Sequence, residues 1–274
     1  MSNRKLSVKS KTTAKTAHLQ DVLGRMNSAI VAYSGGVDSA YLAVTARDVL
    51  KDKAVIVLAN SPVMDAEDFD NARKLAASLG LNMQQIEFNQ LDVPDFAHNS
   101  KDRCYHCKLT MLGMLNEMAR ARRIKYVCDG SNYDDLSDYR PGLVAISELG
   151  VRSPLAESFL TKKEIRSLAK AGGLPNWDRP AMPCLATRIP HHTTITHNLL
   201  GKVSTGESFI RSLGVKQVRL RHHADIARIE VDESGFRTLL KKDNRRAAVE
   251  AVRKLGYKHV TIDLAGYQAG SMNP

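Results

Sequence analysis

Ser28-Ala29-Ile30-Val31-Ala32-Tyr33-Ser34-Gly35-Gly36-Val37-Asp38-Ser39 is the stretch on which the fold turns. A short apolar run, Ser28–Tyr33, has the length of a buried strand and ends in a serine and a glycine pair, after which Ser39–Leu50 reads as a helix. The same alternation continues outward. Lys53–Ala59 and Met83–Phe88 are strand-like, and between them Asp65 and Asp68 open a helical stretch that Gly80 closes. Lys108–Arg122 is a further helix and Lys125–Cys128 a fourth strand. Thr161 with Glu164 forms a capping box whose helix ends at Gly172-Gly173. Strands alternating with helices of this length predict an α/β fold with a parallel sheet, right-handed crossovers and ligands beyond the carboxyl ends of the strands.

Past the Pro- and His-rich stretch Pro180–His192 the pattern changes. His197–Leu213 is helical, Val215–Arg221 and Ile226–Val231 alternate like paired strands, and a basic helix leads through Gly256 to a last strand, Tyr257–Leu264. The order αββαβ predicts a smaller C-terminal α+β domain. The expected organisation is therefore a basic flexible tail over residues 1–16, a nucleotide domain over 17–190, and an α+β substrate or oligomerisation domain over 191–274.

The chain has 274 residues and a net charge of +11, distributed unevenly. Residues 1–16 carry five Lys/Arg and no acid, residues 17–190 carry 21 of each sign, and residues 191–274 carry 14 basic and 8 acidic side chains. The excess thus lies at the two ends: the tail reads as a disordered, solvated leader, and for the C-terminal region a polyanion or a small phosphorylated substrate is the complementary partner. No run of eighteen apolar residues is present and the first sixteen lack the apolar core of a secretory signal, so a cytoplasmic enzyme is expected, not a membrane protein.

The Ser34–Ser39 segment has the chemistry of a phosphate cradle. Its glycines leave no Cβ between the backbone N–H groups and an anion, and the helix beyond adds unpaired donors and its dipole. Hydroxyls of Ser34 and Ser39 can donate to phosphate oxygens, and Asp38 can hold Mg2+ against them. A plain strand-to-helix turn is the bland alternative. The segment resembles the SGGxDS motif of the PP-loop ATP pyrophosphatases, a family with a Rossmann-like fold. The chain has no G-x-x-x-x-G-K-[ST], so transfer of a γ-phosphate is not suggested. The resemblance implies that Ser34, Gly35, Gly36, Val37, Asp38 and Ser39 bind the β- and γ-phosphates of ATP, which leave together as pyrophosphate. It also implies that Asn60-Ser61 borders the adenosine and that Asp129-Gly130-Ser131-Asn132, with Gly130 at its bend, is a second nucleotide-contacting loop.

The cysteines narrow the reading. Arg103-Cys104-Tyr105-His106-Cys107-Lys108 is a C-x-x-C just ahead of a helix, and Cys184 lies in Pro183-Cys184-Leu185-Ala186-Thr187-Arg188. Three loop thiolates can ligate a 4Fe-4S cluster and leave one iron open. Zinc, with His106 or His191 completing the site, and a redox disulfide in Cys104–Cys107 are the competing readings. Cys128, at a strand end, reads as a buried structural thiol.

These motifs, with Tyr139-Arg140-Pro141-Gly142-Leu143, Ser153-Pro154-Leu155 and Ala227-Arg228-Ile229-Glu230, resemble the LarE-type sulfur-insertion enzymes of nickel-pincer nucleotide synthesis over most of the chain. The resemblance implies ATP-dependent adenylation of a carboxylate on pyridinium-3,5-biscarboxylic acid mononucleotide, followed by sulfur delivery to give a thiocarboxylate. It further implies a sulfide donor and a homo-oligomer. One branch of that family sacrifices its own single cysteine. The trio Cys104, Cys107 and Cys184 is similar to the cluster-bearing branch. Lys108 and Arg140 are the candidate cations for departing pyrophosphate, and Cys184 with Asp38 and Lys108 forms the expected catalytic set. Arg219 and Arg221 alternate with apolar residues on one predicted strand, so both project from one face and can clamp a phosphate or carboxylate, with Glu230 on the adjacent strand to orient them. A surface pair of arginines with a cross-strand acid is the bland reading. A tRNA-thiolating enzyme of the same adenylating type is the chief rival. It lacks support from basic stretches with interleaved aromatics, which make up only 5% of the chain. A nucleotide-binding regulatory protein is the non-enzymatic rival.

Overall fold

The computed structural model describes residues 2–137, 141–180 and 183–268. In chain order its elements are α1 (Ser2–Gly24), β1 (Ala29–Tyr33), α2 (Val37–Leu50), β2 (Ala54–Asn60), α3 (Ala66–Ser78), β3 (Met83–Glu87), the short α4 (Pro94–Ala97), α5 (Arg103–Ala121) and β4 (Tyr126–Cys128). They continue with α6 (Pro141–Glu148), α7 (Pro154–Glu157), α8 (Lys162–Ala171), α9 (His197–Ser212), β5 (Val218–His223), β6 (Ile226–Val231), α10 (Glu233–Leu239), α11 (Lys242–Lys254) and β7 (His259–Ile262). The chain divides into two compact units, residues 1–89 with 104–182 and residues 90–103 with 183–274.

The first unit is an α/β layer structure on a four-stranded parallel sheet of order β3-β2-β1-β4. Its two central strands are apolar at successive positions because both faces are covered. Ala29, Val31 and Tyr33 of β1 and Ala54, Ile56 and Leu58 of β2 point into one core, shared with Leu19, Leu23, Ala40, Ala43, Leu155 and Ile165. Ile30, Val55 and Val57 point into the other, against Leu112, Leu115 and Ile146. Truncating a fully buried position such as Ile30 to alanine is expected to cost about 2–5 kcal/mol. Because β2 and β4 flank β1 on opposite sides, the strand order switches direction at β1, and the place beyond its carboxyl end is where open parallel sheets bind ligands. The phosphate-loop residues stand at that point.

Helix starts follow their caps. The Asp65 side chain accepts from the Glu67 N–H at 3.0 Å. At α8 the reciprocal box is complete, with the Glu164 N–H donating to Thr161 Oγ1 and the Thr161 N–H to Glu164 Oε2. Over the stretch expected as a basic tail the backbone is helical from Ser2. No Gly or Pro interrupts Ser2–Leu23, and burial of Leu19 and Leu23 anchors the far end, so each further residue propagates a helix already nucleated.

The second unit packs α9 and α11 against a three-stranded sheet of order β5-β6-β7, with β5 antiparallel and β7 parallel to β6. It differs from expectation in three respects. The order is αββααβ, because Asp232 caps an extra helix by accepting from the Gly235 N–H at 2.8 Å. Strand β5 begins at Val218, and Val215 is buried in the loop before it. The unit begins at Pro183, ahead of the expected boundary, and includes Gln90–Arg103. That segment is held by Asn99, a buried residue at φ +58°, whose amide donates to the carbonyls of Ile189, Pro190 and Thr193.

Candidate active site

Gly35 adopts φ +75°, and a Cβ there would meet the Ala72 Cβ at 2.6 Å, so both conformation and space demand glycine. Gly36 is the N-cap residue of α2 and leaves the first turn of that helix open to an anion. Ser34 and Ser39 close the loop across its base. The Ser34 N–H donates to Ser39 Oγ at 3.1 Å, the two hydroxyls are 3.1 Å apart, and Ser39 Oγ donates to the Gly36 carbonyl. The buried Asn176 braces the loop from α8's far end by donating to the Gly35 carbonyl at 3.0 Å.

Asp38, in the first turn of α2, is the polar centre. Its Oδ2 accepts from Lys162 Nζ at 2.6 Å and from Asn132 Nδ2 at 3.2 Å, whereas its Oδ1 is buried without a hydrogen-bond partner. A partnerless carboxylate oxygen in this position fits a hard divalent cation. The donor set therefore suits Mg2+ with a nucleotide phosphate.

The loop after β4 approaches closely. A Cβ on Gly130 would lie 3.2 Å from the Ser39 N and Cα, so glycine lets the two loops meet. Beside it Asp129 is buried and fully engaged: Oδ1 accepts from the Ser131 N–H and from Ser153 Oγ at 2.6 Å, and Oδ2 from Ser131 Oγ at 2.6 Å and Lys108 Nζ at 3.2 Å. The Lys108 stem passes over Gly142, where a Cβ would meet its Cδ at 2.8 Å. Asn60 lies at the end of β2 with its amide donating to both oxygens of Glu87, and Ser61 Oγ accepts from the Val63 N–H. Arg140 lies outside the described residues.

None of the four cysteines forms a disulfide. Cys104 and Cys107 lie within the first turns of α5, one turn apart, because that helix starts at Arg103 and not after the motif. Cys104 is exposed, Cys107 half-buried, and Cys184, half-buried, precedes the 3-10 turn Leu185–Arg188 of the second unit. Burial pushes the Cys128 thiol far up, as a structural thiol requires. Among the described residues no group of three or more His, Cys, Asp or Glu side chains is assembled to hold a metal ion.

In the second unit Arg219 and Arg221 are buried, not on the surface. Arg221 Nη2 donates to Glu230 Oε2 at 2.7 Å and Nη1 to the Thr187 carbonyl at 3.0 Å, while Arg228 donates to Glu230 Oε1 and pairs with Asp263. Arg219 lies 5.4 Å from the Tyr267 ring centre, and burial, with Arg188 nearby, pulls its pKa below the usual guanidinium value. Arg188 forms a bidentate pair with the buried Glu207 and donates to the Cys184 carbonyl at 3.1 Å, stapling the cysteine loop from within its own unit.

Lys162 and Asn176 escaped the sequence reading. Both flank a capping box and a glycine pair that were read only as helix punctuation, and nothing local tells that α8 delivers its first residue to Asp38. Lys108 and Gly130 lie in the same unit as the phosphate loop; Arg219, Arg221 and Glu230 belong to the other.

Comparison with known proteins gives a concordant result. Residues 13–134 match the family described as NAD synthase. An uncharacterised protein of Synechocystis is 39% identical over 95% of this chain and 97% of its own. The pyridinium-3,5-bisthiocarboxylic acid mononucleotide synthase of Lactiplantibacillus plantarum is 38% identical over 94% of each chain. An uncharacterised protein of Methanocaldococcus jannaschii is 28% identical over 88% of this chain and 90% of its own. With a phosphate loop, an aspartate poised for a cation, and such identity along nearly its whole length, the chain belongs to the LarE-type family of PP-loop ATP-dependent sulfurtransferases.

Proposed function

We propose that this enzyme activates a carboxylate of pyridinium-3,5-biscarboxylic acid mononucleotide with ATP and replaces its oxygen by sulfur, on the way to the nickel-pincer cofactor. The observation that carries the reading is the 38% identity to the plantarum synthase over 94% of each chain. The product in that relative's name bears two thiocarboxylates, so the cycle runs once per carboxylate.

A carboxylate is a poor acyl donor until its oxygen belongs to a good leaving group. In the first step a substrate carboxylate oxygen bonds to the α-phosphorus of ATP, and the bond from that phosphorus to the β-bridging oxygen breaks. Pyrophosphate leaves. The N–H groups at the start of α2 and the hydroxyls of Ser34 and Ser39 take the departing charge, Asp38 Oδ1 is the atom left to hold Mg2+, and Lys108 and Arg140 supply further cations. Asn60, Ser61 and Gly130 border the nucleoside. In the second step a sulfide attacks the acyl carbon and AMP leaves with its oxygen, giving the thiocarboxylate. Arg219 and Arg221, aligned by Glu230, hold the anionic groups of the mononucleotide.

The sulfide carrier proposed is a 4Fe-4S cluster on Cys104, Cys107 and Cys184. These are the three thiols with solvent exposure, and Cys128 is sealed in the core. When bound, such a cluster supplies an open iron for the sulfur to be transferred.

Anaerobically purified enzyme supplied with Mg·ATP, the dicarboxylate mononucleotide and sulfide should yield AMP and pyrophosphate in step with thiocarboxylate. Replacing Cys104, Cys107 or Cys184 by alanine should abolish iron content and sulfur transfer together and spare ATP binding, while Cys128→Ala keeps both. ADP and orthophosphate as products, or ATP-dependent sulfur incorporation into tRNA, would overturn the reading. Zinc without iron, or loss of hydrogen sulfide mass at Cys184 after one turnover, would overturn the cluster.

A further inference from the structure

Helix α1 carries the basic N-terminal charge, and its cation Lys15 is tied to the turn that delivers Lys162 to Asp38. Lys15 Nζ donates to the Phe159 carbonyl at 2.7 Å and to both oxygens of Glu164 at 2.8 Å. Phe159 lies between α7 and α8 at φ +57°, a left-handed conformation that disfavours an aromatic residue by about 1 kcal/mol or more, and its ring is more than half exposed. Its ring rests edge-on against the Tyr133 ring, with centroids 5.6 Å apart, and the next residue, Leu160, is buried in the core. The conformation of the turn's backbone is fixed in addition by polar contacts: Lys15 on the Phe159 carbonyl, the Tyr133 N–H on the Leu160 carbonyl at 2.9 Å, and the capping box of Thr161 and Glu164.

What the turn presents is the first residue of α8. The Lys162 N–H donates to Asp134 Oδ2 at 2.9 Å, the Asp134 N–H donates to Asn132 Oδ1 at 2.9 Å, and Asn132 Nδ2 and Lys162 Nζ both donate to Asp38 Oδ2. These bonds close a ring through Asp38, Lys162, Asp134 and Asn132. The ring saturates one carboxylate oxygen and leaves the other, Oδ1, pointing away without a partner. Lys15 stands one shell behind it, bridging the α1 backbone to the acid that caps α8.

We infer that Lys15 is a positioning residue for the adenylation step: by locking the Phe159–Glu164 turn it aims Lys162 at Asp38 and so fixes the orientation of the carboxylate that meets Mg·ATP. A plain tie between α1 and the rest of the unit would also use an ion pair. Lys15 differs from such a tie because its acceptors are the strained carbonyl and the capping carboxylate of one turn, and because α1 has an independent anchor in Leu19 and Leu23. The inference rests on the proposed use of ATP at this site, so its test reads ATP binding directly as well as turnover.

The experiment compares wild type, Lys15→Met and Lys15→Arg as full chains. Mg·ATP affinity is measured by calorimetry without the second substrate, and pyrophosphate release is measured with both substrates. Lys15→Met should weaken Mg·ATP binding and raise the KM for ATP by about tenfold, the equivalent of one charge-assisted hydrogen bond, with the KM for the mononucleotide unchanged. Lys15→Arg should recover most of the loss. Full Mg·ATP affinity in Lys15→Met would overturn the inference. So would a uniform loss of both KM values and melting temperature that arginine fails to rescue, because that is the signature of a merely structural tie. If wild type binds Mg·ATP but releases no pyrophosphate with the mononucleotide, the substrate assignment fails while the calorimetric comparison still decides the role of Lys15.

Discussion

The two units treat charge in opposite ways. In the first, the ligand-facing groups are backbone N–H donors, small hydroxyls and one aspartate with an oxygen left over, so the site is a mould that a charged ligand completes. In the second, the guanidinium groups of Arg188 and Arg221 are buried and must be balanced within the protein, which Glu207 and Glu230 do. Pre-aimed backbone donors cost little when the ligand is absent. Buried ions cost several kcal/mol each unless they are paired. The first unit should therefore lose function before stability when its centre is altered, and the second should lose stability along with function.

The largest effect tests that contrast directly. Asp38→Ala should reduce pyrophosphate formation by about a thousandfold, since the oxygen proposed to hold Mg2+ disappears, yet shift the melting temperature little, because the Lys162 ammonium it leaves behind is partly exposed and water can satisfy it. A large loss of stability together with activity would break the contrast. Glu230→Ala is the converse. Removing a fully buried carboxylate leaves the buried Arg221 without its ion-pair partner, while Arg228 keeps Asp263, and about 3–5 kcal/mol of the second unit's stability should vanish in urea titration. An unfolding midpoint close to wild type would mean that water reaches this cluster freely.

The smallest effect lies at the Lys15–Glu164 pair. Burial alone pushes the Glu164 carboxyl up, but hydrogen bonds from Lys15 and Thr161 together outweigh it and hold its pKa below the ordinary value. Because the folded-state pKa is depressed, the pair's contribution is fully present above the usual carboxylate pKa and fades as pH falls through the lower folded value. The pair is about a quarter exposed, so solvent screening keeps the contribution small. Acid titration of stability should accordingly be slightly flatter for Lys15→Met than for wild type below the usual carboxylate range. Parallel curves would mean that Glu164 is held by Thr161 alone.

Elements with strong local signals came through clearly. The apolar run before Ser34, the glycine pair, the Thr161–Glu164 box and the strand pair around Arg221 and Glu230 each declare themselves within a few residues, because backbone conformation, capping and strand alternation are short-range. The parallel sheet followed from them, since both faces of β1 and β2 are apolar. The helical start of α1, the extra helix after Asp232 and the membership of Gln90–Arg103 in the second unit were missed. The first and the last depend on packing or partners elsewhere in the fold, Leu19 in the core and Asn99 on the carbonyls of Ile189, Pro190 and Thr193, whereas the helix after Asp232 follows from a local cap that the sequence reading passed over.

The sequence alone thus determined the chemistry on offer: a phosphate loop with an aspartate, a set of cysteines, and paired strand arginines. Only the tertiary structure decided which of those groups are satisfied and which are left poised. Asp38 acquires Lys162 from 124 positions away and keeps one oxygen in reserve, and Arg221, read as surface or clamp, is buried against the Glu230 carboxylate. The physical reason is that local conformation is set by neighbours in sequence, whereas burial, pairing and desolvation are set by neighbours in space.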